Sequence, residues 1–233
     1  DGGRTADAMI GEVPAPAVTG ACGSTVMNEE AERMDAGLQP GSGWCARAMA
    51  GAGPDADDPS PWVARWLPEV AAMAGRGRLL DFACGRGRHT RLASERGYAV
   101  LAVDRDPACL ALNQLPGVEA RTTDLEAGAW EWGAERFAVI VITRYLFRPR
   151  LDLLLARLAD GGCLIYETFA QGHGRYGRPS RPVHLLAADE LFAAARRAAL
   201  RVCAFEQGML EAPRPAVIQR MVAWRSTRPQ RLR

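Results

Sequence analysis

Apolar residues gather in short runs over the last three quarters of the chain, and polar or turn-forming residues separate them. The runs Arg78–Ala83, Ala99–Val103, Glu119–Thr122, Phe137–Ile142, Cys163–Thr168, Leu200–Glu206 and Val217–Trp224, several bounded by Gly, Asp or Pro, predict seven strands. Between them, Gly87–Glu95, Pro107–Asn113, Pro149–Leu158 and Ala187–Ala198 predict helices. Ahead of the first strand, PWVARWLPEVAAMA places Trp62, Val63, Trp66, Leu67 and Val70 at helical spacing, with Pro68 expected to kink or split the segment. Strands alternating with helices build a parallel sheet through right-handed crossovers, so the fold class is doubly wound α/β. The last two strands, separated by EQGMLEAPRPA, predict an antiparallel pair, and DLEAGAWEWGAER at Asp124–Arg136 is too short and Gly-broken for a helix.

Residues 1–59 differ from the rest. They are rich in Gly, Ala, Pro and Asp, and Ile10, Met27, Leu38 and Trp44 follow no sustained period, which predicts a disordered tail before a domain at 60–233. Short helices at Asn28–Ala36 and Trp44–Ala50 have too few turns to stand without docking. The tail carries three arginines against ten acidic groups, net −7, which leaves 26 against 17, net +9, for the domain. All 29 basic residues are arginine, a usage that fits a GC-rich genome and weakens arginine number as a functional signal.

The 233 residues suit one α/β domain with spare length. No apolar run approaches the roughly 20 residues that span a bilayer, so no membrane association is expected and the protein reads as soluble. The N-terminus lacks the order of a secretory signal, and translation is expected to start at Met9, Met27 or Met34. The six cysteines form no CxxC pair and no Cys/His cluster, which predicts neither a metal site nor a disulfide framework and suits a cytoplasmic location.

Candidate chemistry starts at DFACGRGRHT. There an apolar strand runs into Gly85 and Gly87, which allow a tight turn and close approach of a ligand before a helix begins. Nicotinamide and flavin folds use a similar loop, but Thr90 stands where GxGxxG has its third glycine, and Asp81 lies on the strand itself. Seventeen residues beyond Gly87, strand AVLAVD ends in Asp104, where a carboxylate can accept from both hydroxyls of a ribose. RTTDLE then puts Asp124 after the third strand, to accept from an adenine amine, with Leu125 beside it to pack on the ring; a capping aspartate is the plainer reading of Asp124.

With an acidic residue at three successive strand ends, the chain resembles the class I S-adenosylmethionine-dependent methyltransferases over roughly Ser60–Arg225. From CGRGRHT, AVDRD, TTDLE and IYETFAQGHGRYGRPSRP together it is most similar to the small bacterial tellurite-resistance-type enzymes. The resemblance implies a Rossmann-like, seven-stranded, mostly parallel sheet with an antiparallel last strand, and S-adenosyl-L-methionine as cofactor. It carries Asp81, Gly85 and Gly87 over as methionine-side and loop positions, Asp104 as ribose ligand, and Asp124 with Leu125 as adenine contacts. Cys84, Arg86, His89, Arg105 and Thr143 are neighbouring candidates. Ala83 departs from the pattern, which usually has glycine there.

A sulfonium donor needs an in-line nucleophile and exclusion of water more than a triad or a metal. The acceptor is expected beyond the fourth and fifth strands, where TRYLFRPR supplies Thr143, Arg144 and Tyr145. ETFAQGHGRYGRPSRPVHLL supplies Glu167, His173, Arg175, Tyr176, Arg178 and Arg181 on a loop that reads as a mobile lid. Glu167, His173 and Tyr145 are the catalytic candidates, and Arg144, Tyr176 and Arg178 the substrate-binding ones. The arginines favour an anionic small-molecule acceptor. Methylation of RNA or protein is the alternative, but TRYL stands where amino-group methyltransferases of nucleic acids carry (D/N)PP(Y/F). A non-catalytic cofactor-binding scaffold is a third reading.

Overall fold

The structure, a computed structural model, describes residues 57–74, 77–130 and 132–226. The expected tail and its two short helices therefore lie almost wholly outside the described residues.

Seven strands form one sheet: β1 (Leu79–Phe82), β2 (Val100–Asp104), β3 (Val118–Thr122), β4 (Phe137–Thr143), β5 (Leu158–Phe169), β6 (Arg201–Leu210) and β7 (Ala216–Trp224). Their spatial order is β3-β2-β1-β4-β5-β7-β6. The first five run parallel, and β7 lies antiparallel between β5 and β6. The expected fold class is the one observed, with the antiparallel last strand inserted one place in from the edge.

Helix α1 (Pro61–Ala74) begins with Ser60, whose Oγ accepts the Trp62 N–H at 3.2 Å, followed by a proline in the first turn. Its buried residues Trp62, Val63, Leu67 and Val70 pack with Leu79, Val100, Val139 and Ile165 on one sheet face. Pro68 neither kinks the segment into two nor ends it. It sits on the exposed side, where the intrahelical bond it removes can be replaced by water. Helix α2 (Arg88–Glu95) and the short α3 (Pro107–Leu110), continued by a 3₁₀ turn at Ala111–Asn113, share this face. The other face buries Leu80, Phe82, Ile140, Ile142 and Tyr166 with α4 (Leu151–Leu155), α5 (Glu190–Arg197) and the side chains of Trp130 and Trp132. Strands buried on both sides read as continuous apolar runs, which is why the sequence placed them.

Several boundaries moved: β6 runs on to Leu210 where Glu206 was expected to end it, and α5 starts at Glu190 where Ala187 was expected. The predicted helix Pro149–Leu158 shrinks to a 3₁₀ turn plus α4, and β5 starts at Leu158 rather than Cys163. The register jumps from Phe137↔Leu158 to Val139↔Cys163, so Gly161 and Gly162 lie in an irregular stretch, with Gly161 at φ 78°. Cys84, Cys163 and Cys203 are free thiols. No helix among the described residues is long and apolar enough to cross a membrane.

Candidate functional site

Crossovers leave β1 and β4 in opposite directions, which opens a crevice at their C-terminal ends, where ligands bind in open α/β sheets. The turn after β1 fills one wall. Ala83, Gly85 and Gly87 all have left-handed backbones, at φ 58°, 53° and 78°. Gly85 points its missing side chain into open space, while a Cβ on Gly87 would lie 1.6 Å from Asn113 Oδ1. Gly87 is thus required by conformation and by space. The departure at Ala83 does not change the turn's shape, but puts a Cβ where the backbone favours glycine.

Asp104 closes the turn. Its Oδ2 accepts the Gly85 N–H at 2.9 Å and its Oδ1 the Asp106 N–H at 3.0 Å, so β2's last residue and the glycine turn form one unit. Asn113 supports it from below, donating Nδ2 to the Gly85 and Cys109 carbonyls at 3.2 and 3.0 Å. Cys84 is buried beside them, and burial pushes its thiol far up, so it packs rather than reacts.

Gly87, the residue before α2, has no side chain to cap the helix. Asp81 does that from β1. Only 1 % exposed, it accepts the Thr90 hydroxyl at 2.6 Å and the Thr90 N–H. Burial pushes its carboxyl up to about 6, against the lowering by Thr90 and Arg88. His89, also buried, accepts the Ser60 N–H on Nε2 at 3.0 Å, which leaves Nδ1 to carry the proton, 3.4 Å from Thr143 Oγ1. Burial and the neighbouring Arg88 and Arg144 hold it well below the usual imidazole range, so it is neutral.

The residues before α1 lie on the same turn and helix. Asp57 Oδ1 accepts Arg86 Nε at 2.8 Å, the Asp57 carbonyl accepts Arg91 and the Asp58 carbonyl accepts Arg88, both at 3.2 Å. Arg88 reaches on to Thr143 Oγ1 at 3.4 Å. It is 9 % exposed and makes no carboxylate contact within ion-pair distance among the described residues; burial lowers it to about 10.

At the end of β3, Asp124 is exposed and its Oδ1 caps a turn, accepting the Glu126 and Ala127 N–H groups at 2.9 and 3.1 Å. The plain capping role is therefore filled, and Oδ2 remains. Leu125 turns into the core with Phe82 and Trp130 and is 4 % exposed, which leaves little of it to face a ring. Beside them the Thr123 hydroxyl is buried without a hydrogen-bond partner among the described residues. Arg105 follows Asp104 and is exposed. Tyr145 packs edge-on against Phe82, and burial raises its phenol well above the ordinary value, which unsuits it as a base.

Glu167 is the register partner of Thr143 across β4 and β5, and of Arg220 across β5 and β7. Its carboxylate accepts Ser60 Oγ at 2.8 Å and pairs with Arg220 at 3.6 Å, while Arg220 also grips Glu206 at 2.5 Å. The expected base is engaged on both oxygens. Arg144, at φ 54° just past β4, feels Glu167 attractively and Arg214 repulsively, and its guanidinium has no hydrogen bond or ion pair among the described residues. His173 is buried in the loop after β5, stacked on Phe169 at 4.0 Å with Nε2 near the Arg178 carbonyl at 3.3 Å; burial lowers its pKa. Its Nδ1 is buried with no hydrogen-bond partner among the described residues. Tyr176 is exposed and contacts Met209 on β6, and Arg178 is exposed. Arg175 lines an open pocket with Gln171, Ser180, Pro182 and Leu185.

Sequence reasoning thus missed Ser60, Arg88, Asn113 and Arg220. Only Arg88, one residue past the glycine turn, stood where a signal could have found it.

No protein-family model matches the chain, and no curated protein matches it in sequence. Solved structures do match. TehB from Haemophilus influenzae superposes with TM-score 0.56 at 19 % identity, over 68 % of this chain and 60 % of that one, so the match spans less than two thirds of that protein. A TehB-like SAM-dependent methyltransferase from Corynebacterium glutamicum gives 0.51 at 20 % identity, over 84 % of this chain and 95 % of that one. The Burkholderia thailandensis 1,6-didemethyltoxoflavin-N1-methyltransferase, with bound S-adenosylhomocysteine, gives 0.52 at 19 %, over 71 % and 79 %. The chain has the fold of these enzymes.

Proposed function

We propose that this chain, with the fold of the S-adenosylmethionine-dependent methyltransferases, is itself one, and transfers a methyl group to a small anionic acceptor. The observation that carries the reading is the Asp104–Gly85 bond, which makes a ribose-binding carboxylate and a ligand-admitting turn a single preformed unit.

The residues fit the cofactor. Gly85 leaves open space over the turn, Asp104 keeps lone pairs for two hydroxyls, and Asp124 Oδ2 and the unpartnered Thr123 hydroxyl stand at the nucleobase end. Asp81 serves the site by fixing the start of α2, and Arg86 and His89 by binding the Asp57–Ser60 segment. When bound, the cofactor supplies a methyl carbon on a positively charged sulfur that leaves as a neutral thioether. The protein's part is to align the acceptor and exclude water.

Of the candidate bases, Glu167 is engaged on both oxygens, His89 is neutral with Nε2 occupied and Tyr145 stays protonated, while His173 is buried and stacked on Phe169 in its own loop. Cations stand there instead, with Arg88 and Arg144 beside Thr143. That arrangement suits an acceptor that arrives already deprotonated, with its charge held by arginine. Arg175, Arg178 and Tyr176 lie on the loop that would flank it.

Calorimetry with S-adenosylmethionine tests the reading: binding that Asp104→Ala abolishes supports it, and binding the variant retains unchanged overturns it. S-adenosylhomocysteine formation across carboxylate, phenolate, thiolate and inorganic oxyanion acceptors then finds the substrate class.

A further inference from the structure

We propose that Tyr145 reads the nucleobase: its hydroxyl donates to a ring nitrogen of adenine beside Asp124, which takes the exocyclic amine. The inference rests on the cofactor reading above and replaces the catalytic role the sequence suggested for this tyrosine.

The geometry fixes the ring. Tyr145 meets Phe82 edge-on with centroids 5.4 Å apart, and Phe82 is braced by Trp130 and Trp132 at 5.5 and 6.5 Å. The Tyr145 carbonyl accepts the Tyr166 hydroxyl at 2.8 Å, which pins the backbone. The phenol oxygen itself is buried with no hydrogen-bond partner among the described residues. A fixed, buried and unsatisfied donor is costly, and native proteins keep few of them. The charged groups that act on it are Glu126, Asp124, Arg105 and Arg150, which belong to the ends of β2 and β3 and to the start of α4. Arg150 also donates to the carbonyl of Leu125, the residue after Asp124, at 3.3 Å, which ties this side of the site to the end of β3. Burial and the two carboxylates keep the phenol protonated, so it can act as a donor.

A donor beside a carboxylate acceptor is a readable code. Adenine places an unprotonated ring nitrogen next to an amine on either edge of its six-position. A 6-oxopurine puts an oxygen where the amine was, which the carboxylate repels. The hydroxyl should therefore cost the free protein stability and repay it in ligand selectivity.

Calorimetry with S-adenosylhomocysteine and S-inosylhomocysteine, for the wild type and Tyr145→Phe, tests this together with thermal unfolding of both free proteins. The wild type is expected to prefer the adenosyl ligand at least about tenfold, and the variant to bind it about 10–100-fold more weakly. The midpoint of the free variant should be equal or higher. Unchanged affinity in the variant overturns the inference alone, as does a lowered midpoint, which would show the hydroxyl already bonded in the free protein. A wild type that binds neither ligand overturns the cofactor reading and this inference together.

Discussion

The two walls of the crevice are built by different means. On the β1–β2 side, carboxylates meet backbone N–H groups: Asp104 holds Gly85 and Asp106, and Asp81 holds Thr90. On the β4–β5 side, charges meet charges from remote strands: Arg220 sits between Glu167 and Glu206, and Ser60 reaches Glu167 across 107 residues. Backbone amides are available to any sequence that makes the turn, so the first wall can serve a cofactor shared by many enzymes. Side-chain networks are particular to one chain, and the second wall is where an acceptor would be chosen.

Breaking the first wall should have the largest effect. Gly87→Ala forces a left-handed alanine and drives its Cβ into the bonded Asn113 amide, and is expected to cost about 2–5 kcal/mol in urea unfolding. In an Asn113→Ala background the added cost should fall to the backbone part, about 1–2 kcal/mol. On the second wall, Arg220→Met strands two carboxylates and uncovers the Trp62 ring, which Arg220 covers at 4.7 Å. The pair is partly exposed, so a loss of about 1–2 kcal/mol is expected, and it should shrink in high salt.

Acid separates the two walls more finely. Asp81 has a folded pKa near 6, raised from 3.8, so the folded state binds the extra proton between those values and Asp81 favours folding more as pH falls. Between pH 7 and pH 5 the wild type should gain about 1 kcal/mol relative to Asp81→Asn in paired denaturant titrations. An equal slope in both proteins would contradict the raised value. The smallest effect is expected from Ala83→Gly, which relieves the left-handed Cβ but frees the unfolded chain, a net gain of about 0.5 kcal/mol with ligand binding kept.

The wall that was legible in the sequence is the one built locally. Gly85, Gly87 and Asp104 lie within one strand-turn-helix-strand unit, so spacing alone places them together, and apolar runs buried on both faces mark the strands around them. Asn113, Ser60 and Arg220 were not legible, because their partners follow from sheet order and not from neighbourhood in the chain. Leu125 shows a related limit. Its position next to Asp124 suggested a ring contact, but the nearby Trp130 and Phe82 offered more apolar surface and took the side chain inward. The helix ahead of β5 was overcalled for a similar reason, since the Leu-rich run serves α4 and then the bulged start of β5.

Asp57–Ser60 has a practical side. Three of these four residues, Asp57, Asp58 and Ser60, bind Arg86, Arg88, His89, Arg91 and Glu167 just where the chain enters α1. A cleavage site or fusion joint placed within these four residues would slacken the turn after β1, and occupancy of the crevice should in return shield that stretch from a protease.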